Sequence, residues 1–190
     1  MDKRTKEAIR YLGYGKTIVD NHTIQMIEEC FHVLELIAVP ANVWSEYAVC
    51  FEEDNKIQIG PLHVQSKDLY RNLNGCQKAV VFSATLGIEV DRQIRRYECV
   101  HIAQAVVMQA CAAAYLEEYC DRMQENIVNQ INIKQSHLKP RFSPGYGDFS
   151  IKHQKDILRI LDTAKKIGLT MTEAYMLTPT KSITAIIGVC

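Results

Sequence analysis

The sequence has no excess of charge of either sign. Its 190 residues carry 22 Lys and Arg against 22 Asp and Glu, so the formal net charge is zero with histidine neutral. A balanced charge provides no general basic surface that would attract nucleic acid or anionic lipid. We therefore expect neither nucleic acid nor a membrane among the partners.

Long apolar runs are also absent. The most apolar segment, IAQAVVMQACAAAYL at residues 102–116, is too short to span a bilayer and contains two glutamines. The first residues, MDKRTKEAIRYLGYG, are charged and lack the apolar core of a signal peptide. These features predict a cytoplasmic protein. The length and the 47% hydrophobic content suit one buried core, so we expect a single domain over residues 1–190.

The seven cysteines include no CxxC pair, and their number is odd. Most of them lie in apolar surroundings. We predict that they are reduced thiols of the core, and that they form neither a zinc site nor a disulfide framework.

Several catalytic signatures are missing or incomplete. The patterns GxSxG, HExxH and GxGxxG do not occur. GYGKT at residues 13–17 resembles the end of a phosphate-binding loop, but Arg10 stands where that loop needs its first glycine. DNHTIQ at residues 20–25 resembles the DxHxxG box of cobalamin-binding domains, but Gln25 replaces the glycine. We interpret both segments as helix boundaries, and we predict no catalytic residue and no metal ligand.

Hydrophobic spacing and cap residues predict a mixture of helices and strands. Helices are predicted at 6–12 (capped by Thr5), 23–36, 66–73, 91–97, 101–130 and 150–167; strands are predicted at 44–51, 56–59, 78–84, 169–177 and 182–189. The order shows no regular βαβ rhythm, so we predict an α+β fold with helices packed on a twisted, mainly antiparallel sheet. The helix at 101–130 is apolar on nearly every side in its first half and should lie at the centre.

One stretch, RFSPGYGD at residues 141–148, gathers groups that suit a ligand site. Arg141 has a planar guanidinium that can bind a carboxylate through two hydrogen bonds. Pro144 and Gly145 favour a stiff turn that can aim backbone groups at a ligand, and Tyr146 adds a ring and a hydroxyl. From the residue types alone, a clamp for an amino-acid carboxylate beside a heteroaromatic ring and an ordinary surface turn both stay open.

The same stretch resembles a known family. RFSPGYGD, followed by LRILDTAKKIGLTMTEAYMLTPTKSITAIIGV, is similar to the reactivation domain of cobalamin-dependent methionine synthase. NLNGCQKAVVFSATLG at 72–87 and LEEYCD at 116–121 resemble upstream blocks of that family. The resemblance implies a methionine synthase activation domain-like fold and a chain that binds S-adenosylmethionine. Such a chain supports the reductive remethylation of cob(II)alamin in trans.

The resemblance also implies site residues and partners. It places six residues at the S-adenosylmethionine: Glu117, Arg141, Ser143, Pro144, Gly145 and Tyr146. Arg141 would hold the ligand carboxylate and Glu117 its ammonium. The backbone of residues 143–145 would line the adenosine side, and Tyr146 would complete the clamp. The cobalamin would be carried by a partner, either the cobalamin-binding domain of methionine synthase or another corrinoid protein, and a flavodoxin-like donor would supply the electron.

Other functions stay open at the level of the sequence. Glu117, Glu118 and Asp121 fall on successive turns of the predicted long helix. Their pattern alone indicates that this part of the helix is exposed to solvent. A corrinoid-protein chaperone or an S-adenosylmethionine sensor would use the same ligand without a reaction of its own. A free-standing methyltransferase is disfavoured because the usual glycine-rich loop is missing. Whether the chain is an enzyme or only a component of one stays open.

Overall fold

The computed structural model describes residues 2–14, 19–131 and 138–190. Its helices are α1 (Lys3–Tyr11), α2 (Asn21–Ile37), α3 (Lys67–Leu73), α4 (Ile88–Val100), α5 (Ile102–Ile131), α6 (Gln154–Leu161) and α7 (Thr163–Ile167), with a short 3₁₀ turn at Ile151–His153. Its strands are β1 (Ala41–Phe51), β2 (Lys56–Ile59), β3 (Leu62–Gln65), β4 (Lys78–Thr85), β5 (Thr170–Met171), β6 (Leu177–Thr178) and β7 (Ser182–Val189).

Five of the strands form one sheet in the order β3-β2-β1-β4-β7. Every neighbouring pair in this order is antiparallel, and residues such as Val81 and Ile186 lie opposite each other in the register. The strands predicted at 44–51 and 56–59 are present as β1 and β2 and pair as a hairpin, with Val49 opposite Ile59. The predicted α+β class, with helices on a mainly antiparallel sheet, is therefore confirmed.

The sheet separates two groups of buried side chains, because successive side chains of a strand point to opposite faces. On β4, Val80 and Phe82 belong to the cluster formed with α1, α2, α4 and α5. Ala79 and Val81 belong to a second cluster that includes side chains of β2, β3, α3 and α6. Full burial of a side chain such as Phe82 contributes about 1.5–3 kcal/mol to folding.

Helix α5 lies at the centre of the first cluster. Met108, Cys111 and Ala112 are fully buried on it, in agreement with the prediction for its apolar first half. Helix α1 packs along α5 and buries Ala8 and Ile9 in the same cluster. The position of α1 beside the second half of α5 creates one wall of the site described below.

Helix starts are set by capping side chains. Asp2, and not Thr5 as predicted, caps α1 by accepting a hydrogen bond from Thr5 N at 2.7 Å, because the helix begins three residues earlier than expected. Asp20 caps α2 in the same way through Thr23 N at 2.9 Å, which confirms that residues 20–25 are a helix boundary. Ser66 caps α3, as predicted.

Two elements predicted near the end of the chain are not continuous in the structure. The predicted helix at 150–167 breaks at Asp162, whose φ of 53° is left-handed, so α6 ends and α7 begins there. The predicted strand at 169–177 folds back on itself, because β5 and β6 pair antiparallel with Thr170 opposite Thr178. Asp91, in the first turn of α4, accepts hydrogen bonds from Thr180 N and Oγ1, both at 2.7 Å, and so ties the segment before β7 to that helix.

The cysteine prediction is only partly correct. Cys30, Cys111 and Cys120 are buried thiols, as expected. Cys50 and Cys99 are exposed thiols, and Cys76 and Cys190 form a disulfide. The sequence could not reveal this bond, because the two cysteines are 114 residues apart and meet only through the pairing of β4 with β7.

Some expectations concern parts that the structure does not describe. The segment 13–17, interpreted as a helix boundary, lies largely outside the described residues. Among the helices of the described part, none combines the length and the apolar character needed to cross a membrane. Over the same residues, no three His, Cys, Asp or Glu side chains are grouped as a metal site would require.

Candidate functional site

The stretch at 141–148 begins along the outer edge of β7. Phe142 N donates to Ile186 O, and Ile186 N donates to Phe142 O, both at 2.9 Å. This short antiparallel bridge directs neighbouring side chains to opposite faces. Phe142 packs against the second cluster, and Arg141 reaches the other face, where α5 lies.

The turn that follows is closed by hydrogen bonds within the loop. Gly145 N donates to Phe149 O at 2.7 Å, and Tyr146 N donates to Ser143 O at 3.2 Å. Gly145 has a φ of 99°, a conformation that residues with a Cβ rarely adopt. The stiff turn is thus present, but these two amide groups are used inside the loop and are not aimed at a ligand. Pro144 is buried beneath the turn.

Asp148 attaches the loop to another part of the fold. Its carboxylate accepts hydrogen bonds from Ser66 Oγ, from Lys67 N at 2.8 Å and from Asp68 N at 3.1 Å, at the start of α3. The bond from Ser66 Oγ, followed by that from Lys67 N, lowers the pKa of the Asp148 carboxyl. Asp148 therefore acts as a second cap of α3, supplied from 80 or more residues away along the chain.

Arg141 lies at the centre of a polar cluster on α5. Its Nη2 donates to Glu117 Oε2 at 2.7 Å and to Asp121 Oδ1 at 2.9 Å, and its Nη1 donates to Gln124 Oε1 at 3.0 Å. The three acceptors project from successive turns of α5, which places them on one face of the helix. The Arg141 side chain is only 14% exposed. The guanidinium is thus held in place by the protein's own groups.

The charged groups of this cluster shift each other's pKa values. Burial by itself raises the pKa of Asp121, but hydrogen bonds from Arg141 and Lys3 outweigh burial, and the pKa of Asp121 is lowered. Burial by itself lowers the pKa of Arg141, but its hydrogen bond to Asp121 and the nearby acidic groups raise that pKa overall. Both groups are therefore charged at neutral pH.

Two neighbouring grooves meet at this cluster. The first, which we call the Arg141 groove, has a volume of about 490 Å³ and is lined by Glu117, Asp121, Gln124, Pro140, Arg141, Ser143, Tyr146 and Ile183. The second, the α1 groove, has a volume of about 720 Å³ and is lined by Asp2, Lys3, Arg4, Glu7, Arg10, Tyr11, Ala114, Glu117, Glu118, Asp121 and Tyr146. Glu117, Asp121 and Tyr146 line both grooves, so an extended ligand can occupy the two together.

The structure brings together most of the residues that the sequence predicted for the site. Glu117, Arg141, Ser143 and Tyr146 line the Arg141 groove. Pro144 and Gly145 shape the turn but do not line either groove. Their assignment to a ligand stays a prediction for all six. The sequence analysis did not identify Gln124 as a partner of Arg141, although the helical spacing of residues 117, 121 and 124 indicated that their side chains share one face of α5. It also did not identify α1 as a wall of the site.

These features define an α+β domain with an antiparallel sheet, a long central helix and an arginine-centred groove at one edge. The chain matches, over residues 74–189, the family model described as vitamin B12-dependent methionine synthase, activation domain. The match covers more than half of the chain, and the chain belongs to this family. The resemblance inferred from the sequence is thereby confirmed.

A solved structure has a similar fold. The crystal structure of the MetH reactivation domain bound to AdoHcy aligns with a TM-score of 0.67 and 14% sequence identity, covering 92% of this chain and 67% of that chain. At this identity the likeness concerns the fold alone. No curated protein matches the chain significantly.

Proposed function

We propose that the chain binds S-adenosylmethionine and supports, in trans, the reductive remethylation of cob(II)alamin on a methionine synthase or related corrinoid protein. In this proposal residues 1–190 act as one activation-like domain. Family membership supports a role in methionine synthase reactivation. The observation that carries the ligand assignment is the Arg141–Glu117 ion pair, which lies where the two grooves meet.

The ion pair suggests how the amino-acid end of the ligand is bound. Both hydrogens of Arg141 Nη2 are engaged by Glu117 and Asp121, so a ligand carboxylate must displace at least one of them to bind bidentately. A ligand that also carries an ammonium can offer it to the released Glu117. Each charge of the pair then exchanges one partner for another, and neither is left unpaired. A zwitterionic ligand therefore fits better than a simple carboxylate.

The contribution of this chain to the reaction is alignment of the methyl donor. A sulfonium methyl needs no acid or base to be activated, and binding in a fixed orientation lowers the entropic part of the barrier. The groove walls supply that orientation through Arg141, Ser143 and Tyr146 in this proposal.

Within the described part of the chain, the one cobalt ligand that the sequence suggested does not suit a resident cobalamin. His22, the candidate cobalt ligand of the DNHTIQ segment, lies in the first turn of α2, and its neighbours Asp20 and Thr23 are bonded to each other as a helix cap. The corrinoid, whose cobalt accepts the methyl group, would accordingly arrive on a partner protein. A cobalamin-binding domain and a flavodoxin-like electron donor are the partners that we propose.

Calorimetric titration with S-adenosylmethionine tests the ligand assignment. We expect Arg141→Ala to weaken binding by about 10- to 150-fold, since loss of a charge-assisted contact costs about 1.5–3 kcal/mol. Arg159→Ala is the matched control, because Arg159 is an exposed arginine of α6 that lines neither groove. Absence of binding to the wild-type chain would eliminate the proposal, and unchanged affinity in folded Arg141→Ala would show that the carboxylate binds elsewhere.

A second assay separates reactivation from simple binding. The wild-type chain is mixed with a cobalamin-loaded partner domain, a reductant and S-adenosylmethionine labelled on its methyl group. Label transferred to the partner supports the reactivation role. Ligand binding without transfer would favour the alternative of a sensor or a corrinoid-protein chaperone.

A further inference from the structure

The α1 groove has an aromatic side chain on each of two separate elements. Tyr11, the last residue of α1, is 42% exposed, and Tyr146, in the turn after Arg141, is 66% exposed. Both line the same groove of about 720 Å³, with the small side chain of Ala114 on α5 also among its walls. Exposed rings at the edge of a groove of ligand size are typical of sites that bind flat heteroaromatic groups.

The ring of Tyr11 is held in a defined position. The Arg10 guanidinium lies 4.6 Å from the centre of the Tyr11 ring, and Arg10 is itself bonded to Glu7. Partial burial and the nearby Glu117 carboxylate raise the pKa of Tyr11, so its phenol is neutral under physiological conditions. The proximity of Glu117 also places Tyr11 close to the point where the two grooves join.

The ring of Tyr146 lies near another aromatic ring, that of Phe142. Its centre lies 6.4 Å from that of Phe142, which is fixed to β7 by backbone hydrogen bonds. The two tyrosines therefore stand on supports that do not depend on each other, one on α1 and one on the loop beside β7. A ligand between them would connect these two parts of the fold.

The charges of the α1 groove suit a cationic ligand. Its basic side chains already have carboxylate partners: Lys3 contacts Asp121 at 3.1 Å, and Arg10 contacts Glu7. The five carboxylates of the lining outnumber its three basic groups, also when Arg141, which is bonded to two of these carboxylates, is counted as a fourth. A ligand with a positive centre would thus meet a favourable field between the rings, which themselves attract cations.

We propose that Tyr11 is a binding residue of this site and that Tyr11 and Tyr146 together hold the adenine ring of the sulfonium nucleoside. This inference rests on the proposed function and adds to it the role of α1. The amino-acid end lies in the Arg141 groove and the nucleoside end in the α1 groove. Because α1 supplies one of the two aromatic walls, nucleoside binding requires α1 to be docked on α5.

The test compares two substitutions of Tyr11. Tyr11→Leu keeps an apolar helix-forming side chain but removes the ring, and Tyr11→Phe keeps the ring without the hydroxyl. Tyr70→Ala is the control, because Tyr70 packs against Phe51 and lines neither groove. Affinity for S-adenosylmethionine and for 5′-methylthioadenosine, which lacks the amino-acid end, is measured by NMR titration, and circular dichroism verifies the fold.

We expect Tyr11→Leu to weaken binding of both ligands at least fivefold, and Tyr11→Phe and Tyr70→Ala to stay within twofold of the wild type. Arg141→Ala should affect S-adenosylmethionine more than 5′-methylthioadenosine. Suppose that folded Tyr11→Leu binds S-adenosylmethionine as tightly as the wild type, while Arg141→Ala binds it more weakly. The role of Tyr11 is then overturned, and the proposed function survives. If the wild type binds no S-adenosylmethionine, the proposed function fails and this inference fails with it.

Discussion

At the scale of single residues, two side chains of the stretch 141–148 have separable tasks. Arg141 faces the groove and is held ready by Glu117 and Asp121. Asp148 lines neither groove and fastens the loop to the first turn of α3. In the proposed function, the first residue recognises the ligand, and the second keeps the loop in the position that this recognition needs.

The capping role of Asp148 can be tested by measuring the thermal stability of the protein at different pH values. Because hydrogen bonds lower its pKa below the ordinary value of 3.8 in the folded state, the ionised carboxylate stabilises the fold above that value. The stabilisation is lost as the pH falls through the lower pKa of the folded state. We expect Asp148→Asn to unfold at lower temperature than the wild type at neutral pH, and the gap to narrow at about pH 3. A gap that is absent at neutral pH, or that widens in acid, would contradict the capping role.

Arg141, Ser143 and Tyr146, which line the Arg141 groove, could be singled out from the sequence because they lie in one short stretch with recognisable chemistry. Glu117 was found only through the resemblance to a family. The partnership of Asp148 with Ser66 spans 82 residues, and Tyr11 reaches the site from the opposite end of the chain. Neither contact could be predicted from a local sequence pattern, because both depend on how α1 and α3 pack in the folded protein.

At the scale of elements, the region 150–178 shows where periodicity misleads. The apolar spacing of residues 151–167 favours one continuous helix, yet the backbone turns at Asp162. The reason lies in the packing beyond it: Thr163 is buried, and its hydroxyl donates to Leu169 O at 2.8 Å. Interior elements such as β4 and α5 were predicted well, because burial on both sides gives them long apolar runs.

The left-handed turn at Asp162 makes a prediction for substitutions there. A β-branched residue disfavours positive φ, whereas glycine accepts it. We expect Asp162→Val to lower the free energy of unfolding by about 1–2 kcal/mol and Asp162→Gly to leave it nearly unchanged. Urea denaturation measures both values. A Val variant at least as stable as the Gly variant would contradict the left-handed turn at Asp162.

At the scale of the whole molecule, the main sheet is shared by two clusters of buried side chains, and the disulfide lies at one end of it. Cys76 precedes β4, and Cys190 follows β7, so the bond joins the ends of two strands that are already paired. It closes a span of 114 residues and therefore restricts the unfolded chain more than the folded one.

Reduction of this bond should destabilise the protein without changing its fold. We expect reduction, or Cys190→Ser, to lower the free energy of unfolding by about 2–4 kcal/mol. Cys50→Ser, which alters an exposed thiol, is the control and should have no effect. Thiol titration of the unfolded protein gives an independent check: the disulfide form exposes five reactive thiols. Seven reactive thiols before reduction would show that the bond does not form.

The central claim is that a sulfonium nucleoside binds across the two grooves, with its carboxylate on Arg141 and its base between Tyr11 and Tyr146. A crystal structure of the protein soaked with S-adenosylmethionine tests it most directly. We expect density for the ligand across both grooves, with Glu117 moved from Arg141 to the ligand ammonium. A nucleoside bound elsewhere, beside an intact Arg141–Glu117 pair and empty grooves, would contradict the claim.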